Sequence, residues 1–555
     1  MIREEGRIGS WDLLVDGRDD SGHGRHAIAH GGVEFGPSAD ARVSRSVARF
    51  GRDASRLEVE VPAIGDADFT LTAWVHAADP SRTVIGDIAA MFDPVERRGF
   101  SLGVDHSASC GNHGNDRNLF FGIDAGVDVQ WTEHGRPGSS TIMVCALAVH
   151  DGDLYAATWE SGRSDLGHVY RLDGDGWTDC GAPSTANAVT RLAVHDGHLY
   201  AGVSRLRGGG SGMPDSANQQ AGGRVLRYEG GSDWSDCGQL DRADSIAALV
   251  PFDGELYSIP MYSEGVFRLD GSNEWVSCGT PGRRLLALGV HAGALYGLGN
   301  DHADVISAIA QTAAGIVVPS RSEQGGGGVF RYGGGRSWAS LGLQPETTQV
   351  YSAETYAGDL FIGTWPNGIV YRHAGGDRWE SRGTPGAETE VMNLLAYNGK
   401  LYAGTLPGAQ IHRFDGDGSW ALVGTLDATP DVRYRRAASM VVYRGELFCG
   451  TLPSGTVHSM RAGLVVSDDR ALPAGWHHVA AIRSGEMIAL YVDGTLFAER
   501  GDEDGRTPLD LGDSSTLVIG AGPRTGFDGE LADIRLYHRA LDAAEVGISS
   551  SRSLS

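Results

Sequence analysis

The sequence predicts an all-β protein in which a seven-bladed β-propeller is inserted into a jelly-roll sandwich. Glycine accounts for 82 of the 555 residues, about twice its usual share, and with only 20 prolines this indicates many tight turns. Two different motifs each occur seven times in the middle of the chain. The segments on either side lack this repeat and alternate apolar with polar residues, which is typical of half-buried strands.

The repeat combines a leucine-aromatic pair with a tryptophan. The pair occurs at positions 154–155, 199–200, 256–257, 295–296, 360–361, 401–402 and 447–448. The tryptophan occurs at Trp131, Trp177, Trp234, Trp275, Trp338, Trp379 and Trp420. In one period, Asp196-Gly197 separates two β-rich runs, which favours a type I′ hairpin because both central positions need positive φ. Four short strands per period are typical of a propeller blade, so we expect seven blades between about residues 118 and 460.

The two motifs are out of phase at the ends of the repeat. Trp131 precedes the first leucine-aromatic pair, whereas Leu447-Phe448 has no tryptophan after it. One blade must therefore take its inner strands from about 437–460 and its outer strand from about 127–135. This arrangement closes the ring and leaves no sheet edge open there.

The flanking segments contain the strands of a second domain. Alternation at Leu57–Val61 and Ile488–Val492 predicts half-buried strands. Together with the run from Trp476 to Leu541, these segments resemble the front and back halves of one laminin-G-like (concanavalin A-like) jelly roll. We therefore divide the chain into a first sandwich half at 1–117, a propeller at 118–460 and a second sandwich half at 461–555.

The jelly-roll resemblance implies a structural calcium ion held by Asp20 or Asp528, although both residues also fit simple turns. Separately, two chain crossings would hold the sandwich and the propeller rigidly together, which makes the groove between them a candidate ligand site. A purely stabilising sandwich is the alternative.

Composition excludes several classes of partner. Lys and Arg total 46 against 71 Asp and Glu, a net charge of −25, which would repel nucleic acid and anionic membranes. We find no apolar run of about 20 residues and no signal peptide, so we expect no membrane span and a cytoplasmic chain, or a secreted one if a signal was removed. The six cysteines indicate buried apolar residues in a reducing compartment. The oligomeric state is not predictable.

Loops that lead into and out of the inner strands gather on one face of a propeller, where ligands usually bind. Two long excursions are predicted on that face, at 204–223 and at 299–328, and the second contains Asp301 and His302. Long loops on a repetitive scaffold are where function concentrates. Flexible surface loops are the alternative, because both excursions contain glycine runs.

The entries to the first strand of each blade differ although their neighbours repeat. Candidate polar groups at these entries are Asn187, Arg283, Arg284, Tyr351, Asn393, Arg435 and Arg436. Two arginine pairs on one axis would form a cationic pocket, with planar guanidinium groups suited to a carboxylate or sulfate. Solvated surface arginines are the alternative.

Two tryptophans belong to neither repeat nor sandwich, Trp159 and Trp365, and both directly follow the second strand of a blade. Tyr262 occupies a similar position. An exposed ring of this kind offers a flat apolar face on which a sugar can stack. Packed loop residues are the alternative.

One group of potential metal ligands has an unusual spacing. His106, Cys110, His113 and Asp116 could gather a metal ion, but their spacing matches no standard zinc pattern, so the sequence does not favour a metal site at this group. The chain also contains no P-loop, no dinucleotide-binding motif after a strand and no G-x-S-x-G motif.

These residues suggest a carbohydrate-active protein that binds an anionic or uronic acid-containing oligo- or polysaccharide at the propeller face. If it is an enzyme, β-elimination fits best, with Arg284 and Arg435 neutralising the uronate and Tyr351 or His302 as base and acid. The remaining candidates would bind substrate: Asn187, Arg283, Asn393, Arg436, Trp159, Trp365, Tyr262 and Asp301. Hydrolysis by Glu390 with Asp301 or Asp304 is one alternative, and a non-catalytic lectin or interaction scaffold is another.

Overall fold

The computed structural model describes residues 5–51, 55–77, 86–124, 126, 129–162, 165–300, 328–342, 347–502 and 509–551. It is an all-β fold in which seven four-stranded sheets form a propeller and two larger sheets form a sandwich. The predicted fold class is confirmed.

Each blade is an antiparallel meander whose first strand lies at the axis. The strands of blade 1 are Thr141–His150, Asp153–Glu160, Val169–Asp173 and Gly176–Asp179, and those of blade 2 are Ala188–His195, His198–Ser204, Arg224–Gly230 and Asp233–Gln239. The strands of blade 3 are Ile246–Phe252, Glu255–Pro260, Phe267–Leu269 and Trp275–Ser277, and those of blade 4 are Leu285–His291, Ala294–Gly299, Val329–Tyr332 and Trp338–Ser340. The strands of blade 5 are Gln349–Tyr356, Asp359–Trp365, Val370–His373 and Trp379–Ser381, and those of blade 6 are Glu390–Tyr397, Lys400–Leu406, Gln410–Gly416 and Ser419–Thr425. Blade 7 has the strands Arg436–Tyr443, Glu446–Leu452, Val457–Arg461 and Gln130–Glu133. Trp131 pairs with Met460 in its outer edge, as the phase of the motifs predicted.

The repeated tryptophans join each blade to the one before it. Every indole Nε1 donates a hydrogen bond of 2.7–3.0 Å to a backbone carbonyl of the preceding blade. Trp131 of blade 7 donates to Val423 of blade 6, and Trp177 of blade 1 donates to His134 beside the outer strand of blade 7. The ring of hydrogen bonds therefore closes on itself, which explains why the tryptophan repeats once per blade.

The sandwich is assembled from both ends of the chain. Its first sheet contains Glu34–Pro37, Ser46–Phe50, Gly529–Tyr537, Phe69–Ala77, Gly475–Ser484, Met487–Val492 and Thr495–Gly501, with Arg7–Trp11 on Gly529–Tyr537. Its second sheet contains Ile28–His30, Arg56–Glu60, Thr516–Ile519, Gly86–Asp93, Arg98–Ser109, Asn112–Asp124 and Leu464–Ala471. One apolar core, with Trp11, Phe69 and Leu536 fully buried, lies between the sheets. Because both segments supply this core, neither has a complete core alone.

A long hairpin of the second sheet, Arg98–Ser109 and Asn112–Asp124, leaves the sandwich and runs along the propeller axis. We call it the axial hairpin. It contacts the innermost strands of all seven blades. Near its tip, the Gly111 carbonyl accepts a hydrogen bond from Leu249 N at 2.8 Å, and the Asn115 amide exchanges two hydrogen bonds with the Val442 backbone. The strand Asn112–Asp124 thus extends past residue 117, where the sequence placed the end of the first sandwich half.

The base of the axial hairpin joins the sandwich to the turns between the first and second strands of the blades. Lys400 Nζ lies 2.6 Å from Asp124 Oδ2, and both side chains are buried. Arg524 of the sandwich pairs with Asp105 of the hairpin at 2.9 Å and faces Glu354 of blade 5 at 4.0 Å. The cavity beside this cluster measures about 20 Å³. It has room for about one water molecule and not for a sugar.

The helix Ala543–Ser550 follows the sandwich strand Gly529–Tyr537, and its N-terminus is closed by a reciprocal capping box between Asp542 and Glu545. Within the described residues, none of the helices has the length and apolar character needed to cross a membrane.

All six cysteines are free and buried, as expected for apolar filling residues. Cys180, Cys237 and Cys278 repeat in blades 1 to 3, where each thiol lies 3.7–3.8 Å from the carbonyl oxygen two residues earlier.

Candidate functional site

Each innermost strand contains a β-bulge at the same register. The bulged residues are Cys145, Thr190, Ala247, Leu286, Tyr351, Met392 and Ala438. A bulge redirects a side chain out of the regular alternation. All of these residues except Ala247 line one pocket on the propeller axis, so the repeated backbone presents a ring of variable side chains there.

A second ring lies two residues before the bulges. Its pocket-lining members are Met143, Arg284, Gln349, Glu390 and Arg436, from blades 1, 4, 5, 6 and 7. Because side chains alternate along a strand, only every second entry residue points to the axis.

The two rings enclose a pocket of about 170 Å³, which we call the axial pocket. Cys110, at the tip of the axial hairpin, lies at its inner end. The excursion at 204–223 covers it from outside and contributes Leu206, Arg207, Gly210 and Ser211. The sandwich therefore supplies part of a site that opens on the far face of the propeller.

The excursion is held in place by hydrogen bonds to its neighbours. Asn187 Nδ2 donates to the Leu206 carbonyl at 2.9 Å, and Leu206 N donates to Asn187 Oδ1 at 2.7 Å. The Arg207 guanidinium lies 4.3 Å from the centre of the Tyr262 ring, and the Tyr262 hydroxyl accepts a hydrogen bond from Arg207 N. Ordered contacts of this kind place the loop over the pocket.

The ionisable side chains of the pocket carry excess positive charge. Arg191, Arg284 and Arg436 come from blades 2, 4 and 7, and Glu390 faces them from blade 6. Arg207 also lines the pocket but forms an ion pair with Asp244, with a nitrogen–oxygen distance of 3.3 Å. A cationic pocket in a protein of net charge −25 favours an anionic ligand.

Backbone carbonyls orient the arginines. Arg191 Nη1 donates to the Thr190 carbonyl at 2.6 Å, Arg284 Nη1 donates to Met261, and Arg436 Nη2 donates to Gly210 at 2.9 Å. In the part of the chain that the structure describes, buried Arg436 Nε and Glu390 Oε1 have no hydrogen-bond partner. Buried polar groups of this kind normally have one, so these two atoms mark where a ligand could bind.

Glu390 and Tyr351 line the pocket together with Arg436. Burial raises the pKa of the Glu390 carboxyl, against the opposing effects of Arg436 and of the neighbouring Tyr351 hydroxyl. Burial, reinforced by the charge of Glu390, raises the pKa of the Tyr351 hydroxyl well above its usual value. The pair thus combines a carboxyl that titrates closer to neutrality with a phenol that stays protonated.

Five of the residues singled out from the sequence meet in the axial pocket: Arg284, Arg436, Tyr351, Trp365 and Tyr262. Glu390, named there for the hydrolytic alternative, lies among them. Their roles stay predictions. Asp301 and His302 lie outside the described residues.

The other predicted arginines and amides lie outside the pocket lining. Arg435 Nε donates to the Thr429 carbonyl at 2.7 Å, so this side chain braces a loop. Arg283 points away from the axis because it alternates with Arg284. Asn393 Nδ2 donates to the Ala437 carbonyl at 2.8 Å in the core, and Asn187 anchors the excursion rather than lining the site.

Trp159 corrects the expectation of an exposed platform. Its side chain is fully buried among Met143, Cys145, Ala188 and Leu452, so no sugar can stack on it. Trp365 is 6% exposed, and its exposed part lines the pocket.

Asp20 and Asp528, the candidate calcium ligands, are not part of the group of His and Asp side chains that could hold a metal ion among the described residues. The neighbouring carboxylate, Asp19, accepts backbone hydrogen bonds from Ser10, Ser21 and Arg25; these outweigh burial, which acts in the opposite direction, and lower its pKa to about 2. Asp19 therefore closes a turn. The calcium ion stays a prediction.

Sequence reasoning missed Arg191, Cys110 and Cys145. Arg191 lies in an apolar run, where other blades have small or polar uncharged residues at the same register: Ala146 and Ala248 are examples. The sequence signal for Arg191 was therefore a charged residue at a position that is uncharged in the other blades. Nothing local marks Cys110, because its place in the pocket depends on a hairpin from another domain.

Comparison with known proteins identifies the sandwich. Residues 450–547 match the Laminin_G_3 family, described as the concanavalin A-like lectin/glucanases superfamily. This agrees with the jelly-roll resemblance and covers its C-terminal part. Among curated proteins, no match to the chain is found.

Solved structures resemble the chain at low identity. A streptogramin B lyase is 10% identical, with a TM-score of 0.45 over 60% of this chain and 98% of that one. A virginiamycin B lyase from Staphylococcus aureus is 10% identical, with a TM-score of 0.44 over 61% of this chain and 100% of that one. The WD40 β-propeller domain of Doa1 is 11% identical, with a TM-score of 0.40 over 60% of this chain and 97% of that one. No residue role is transferred from these proteins.

Proposed function

We propose that the axial pocket binds the uronate end of an acidic glycan and cleaves its glycosidic bond by β-elimination. The observation that carries this proposal is the convergence of Arg191, Arg284 and Arg436 with the Glu390–Tyr351 pair. Planar guanidinium groups suit a carboxylate, and the paired carboxyl and phenol can move a proton beside it.

The size of the pocket favours a chain end over a chain interior. At about 170 Å³, it is smaller than the roughly 300–1,000 Å³ of pockets for drug-sized ligands. One terminal sugar unit fits this scale. Trp365 and Tyr262 line the pocket and add apolar wall against which the sugar can pack edge-on.

The proposed reaction uses residues of this chain alone. Arg284 and Arg436 neutralise the uronate carboxylate, which acidifies the proton at C5. The Glu390 carboxylate takes that proton, the C4–C5 double bond forms, and the C4–O bond breaks. Tyr351 donates its proton to the leaving oxygen and then recovers one from Glu390, which lines the same pocket. The proton thus passes from carbon to the leaving group with no other reactant.

The test is a screen of the purified full chain against uronate oligosaccharides of defined linkage. Elimination should produce unsaturated uronate, read by ultraviolet absorbance, whereas hydrolysis produces reducing ends without that absorbance. With a cleaved substrate, Glu390→Gln should lower turnover about 10²–10⁴-fold and leave binding close to wild type. Arg436→Ala should weaken binding by about 2–5 kcal/mol, because a buried charged contact is lost.

Arg242→Ala is the matched control, because Arg242 is exposed and lies outside the pocket lining. It should keep both binding and turnover. If no uronate binds at millimolar concentration, or if Glu390→Gln cleaves as fast as wild type, the proposal is wrong.

A second candidate is glycan binding without cleavage. The match of residues 450–547 to the lectin/glucanases superfamily favours it. In this case the screen would detect binding without either product, and Glu390→Gln would have no effect on it.

A further inference from the structure

The axial hairpin carries a cluster of potential metal ligands apart from the axial pocket. His106 Nε2 lies 2.9 Å from His113 Nε2, and His106 Nδ1 lies 3.2 Å from Asp116 Oδ1. One ligating atom from each of the three residues lies within 4.8 Å of the other two. His113 is fully buried, and the His106 side chain is 6% exposed.

Hydrogen bonding at this cluster directs a lone pair of His113 toward the other two residues. His113 Nδ1 lies 3.1 Å from the Val194 carbonyl oxygen, which can only accept, so His113 carries its proton on Nδ1 and its lone pair on Nε2. His113 Nε2 lies 3.3 Å from His106 Nδ1, which lies 3.2 Å from Asp116 Oδ1. Ligand atoms bound tetrahedrally to one zinc ion at about 2.0–2.1 Å are about 3.3–3.4 Å apart. A cation that displaces the proton between His106 and Asp116 could therefore contact all three atoms.

We propose that His106, His113 and Asp116 bind a divalent transition-metal ion of the zinc type. Imidazole nitrogens and a carboxylate are a donor set that suits zinc, with Zn–N bonds of about 2.0–2.1 Å. The Val194 carbonyl holds His113 in the tautomer that presents Nε2, as outer-shell carbonyls do at metal sites. The Asp116 side chain is 15% exposed, which gives solvent access to a fourth position.

The position of the cluster assigns the ion a structural role. His106 lies on the strand Arg98–Ser109 and His113 on the strand Asn112–Asp124, so the ion would cross-link the two strands of the axial hairpin. The cross-link lies just below the tip that places Cys110 in the axial pocket. The role is independent of the ligand that the pocket binds.

This site departs from the expectation drawn from spacing alone. Of the four residues considered in the sequence, Cys110 lies at the axial pocket and the other three gather lower in the hairpin. Standard zinc spacings describe ligands in short loops, whereas here the pairing of two strands brings the ligands together.

The test is metal analysis of the full chain. Protein stripped with a chelator and dialysed against Zn²⁺ should hold one ion per chain by mass spectrometry. Titration with Co²⁺ should give the visible absorption of a four-coordinate nitrogen–oxygen site, saturating at one equivalent. Zn²⁺ should also raise the melting temperature of the stripped protein.

Variants separate this site from adventitious binding. Removing a residue that only orients a ligand typically weakens metal binding by about 10–100-fold. Because His106 would bind the ion directly, His106→Gln should weaken Co²⁺ binding by more than about 100-fold. Asp116→Asn should weaken it by at least about 10-fold. His412→Gln is the matched control, because His412 is also buried but bonds Gln410 in blade 6. It should bind one ion as wild type does.

Two results would overturn the proposal. One is folded wild-type protein that retains less than a tenth of an equivalent of Zn²⁺ and shows no visible Co²⁺ spectrum. This measurement does not depend on whether any variant folds. The other is nitrogen NMR showing that the His106 ring carries two protons in the presence of Zn²⁺, since an imidazolium paired with Asp116 would then occupy the site instead.

Discussion

Replacing Glu354 by glutamine should change how the stability of the protein depends on pH. Glu354 lies on the innermost strand of blade 5 and is 7% exposed. It faces Arg524 of the sandwich, with Asp105 and Asp87 close to the same guanidinium. Burial, opposed by Arg524 and reinforced by Asp105, raises the pKa of Glu354 from 4.5 to about 8.

The direction and size of this change in stability follow from the linkage between protonation and folding. The folded protein holds the Glu354 proton up to about pH 8, whereas the unfolded chain releases it near pH 4.5. The stability that this group contributes is therefore complete below pH 4.5 and is lost as the pH rises toward 8. At about 1.36 kcal/mol for each pH step, the loss between pH 5 and pH 8 is about 4 kcal/mol.

Glutamine keeps the shape and the acceptor for Thr355 N but does not titrate. Urea unfolding of wild type and Glu354→Gln should give similar midpoints at pH 5. The variant should be the more stable protein by about 4 kcal/mol at pH 9. Exposed Glu274→Gln is the control and should follow wild type at every pH. Parallel pH profiles for wild type and Glu354→Gln, within about 1 kcal/mol, would refute the reasoning.

Two further predictions concern the axial hairpin. Gly111 has φ of +77°, and a Cβ there would lie 2.8 Å from the Ala247 carbonyl oxygen, so Gly111→Ala should cost about 1–3 kcal/mol by thermal unfolding; an unchanged melting temperature would contradict this. Lys400→Met leaves buried Asp124 without its 2.6 Å partner and should cost about 3–5 kcal/mol in urea unfolding. Adding Asp124→Asn should recover most of that loss, and no recovery would mean that the ion pair is not the cause.

The propeller could be predicted because the same contact between neighbouring blades recurs along the chain. The tryptophan that hydrogen-bonds to the preceding blade must recur once per blade, and the phase of Trp131 revealed how the ring closes. The sandwich could be predicted because strands with one buried face alternate in sequence. Both features are encoded within short stretches of chain.

The candidate site was only partly predictable. Arg284 and Arg436 could be found because they break a repeat. Sequence alone could not separate them from Arg283 and Arg435, which directly precede them and alternate with them along the chain. No characteristic residue type marks, in the sequence, the bulge that turns Tyr351 toward the axis. Contacts between distant segments have no local signature, so the axial hairpin was missed entirely.

The axial hairpin also limits how this propeller can be reused. Most inserted domains can be separated from the surrounding domain at their junctions, because the two domains meet only at a surface. A propeller cut out here at residues 129 and 461 would lose the two hairpin strands at its centre. It would also lose Asn115, which bonds Val442, and Cys110, which lines the axial pocket. Transplanting the binding face into another protein therefore requires moving the hairpin and the sheet that supports it.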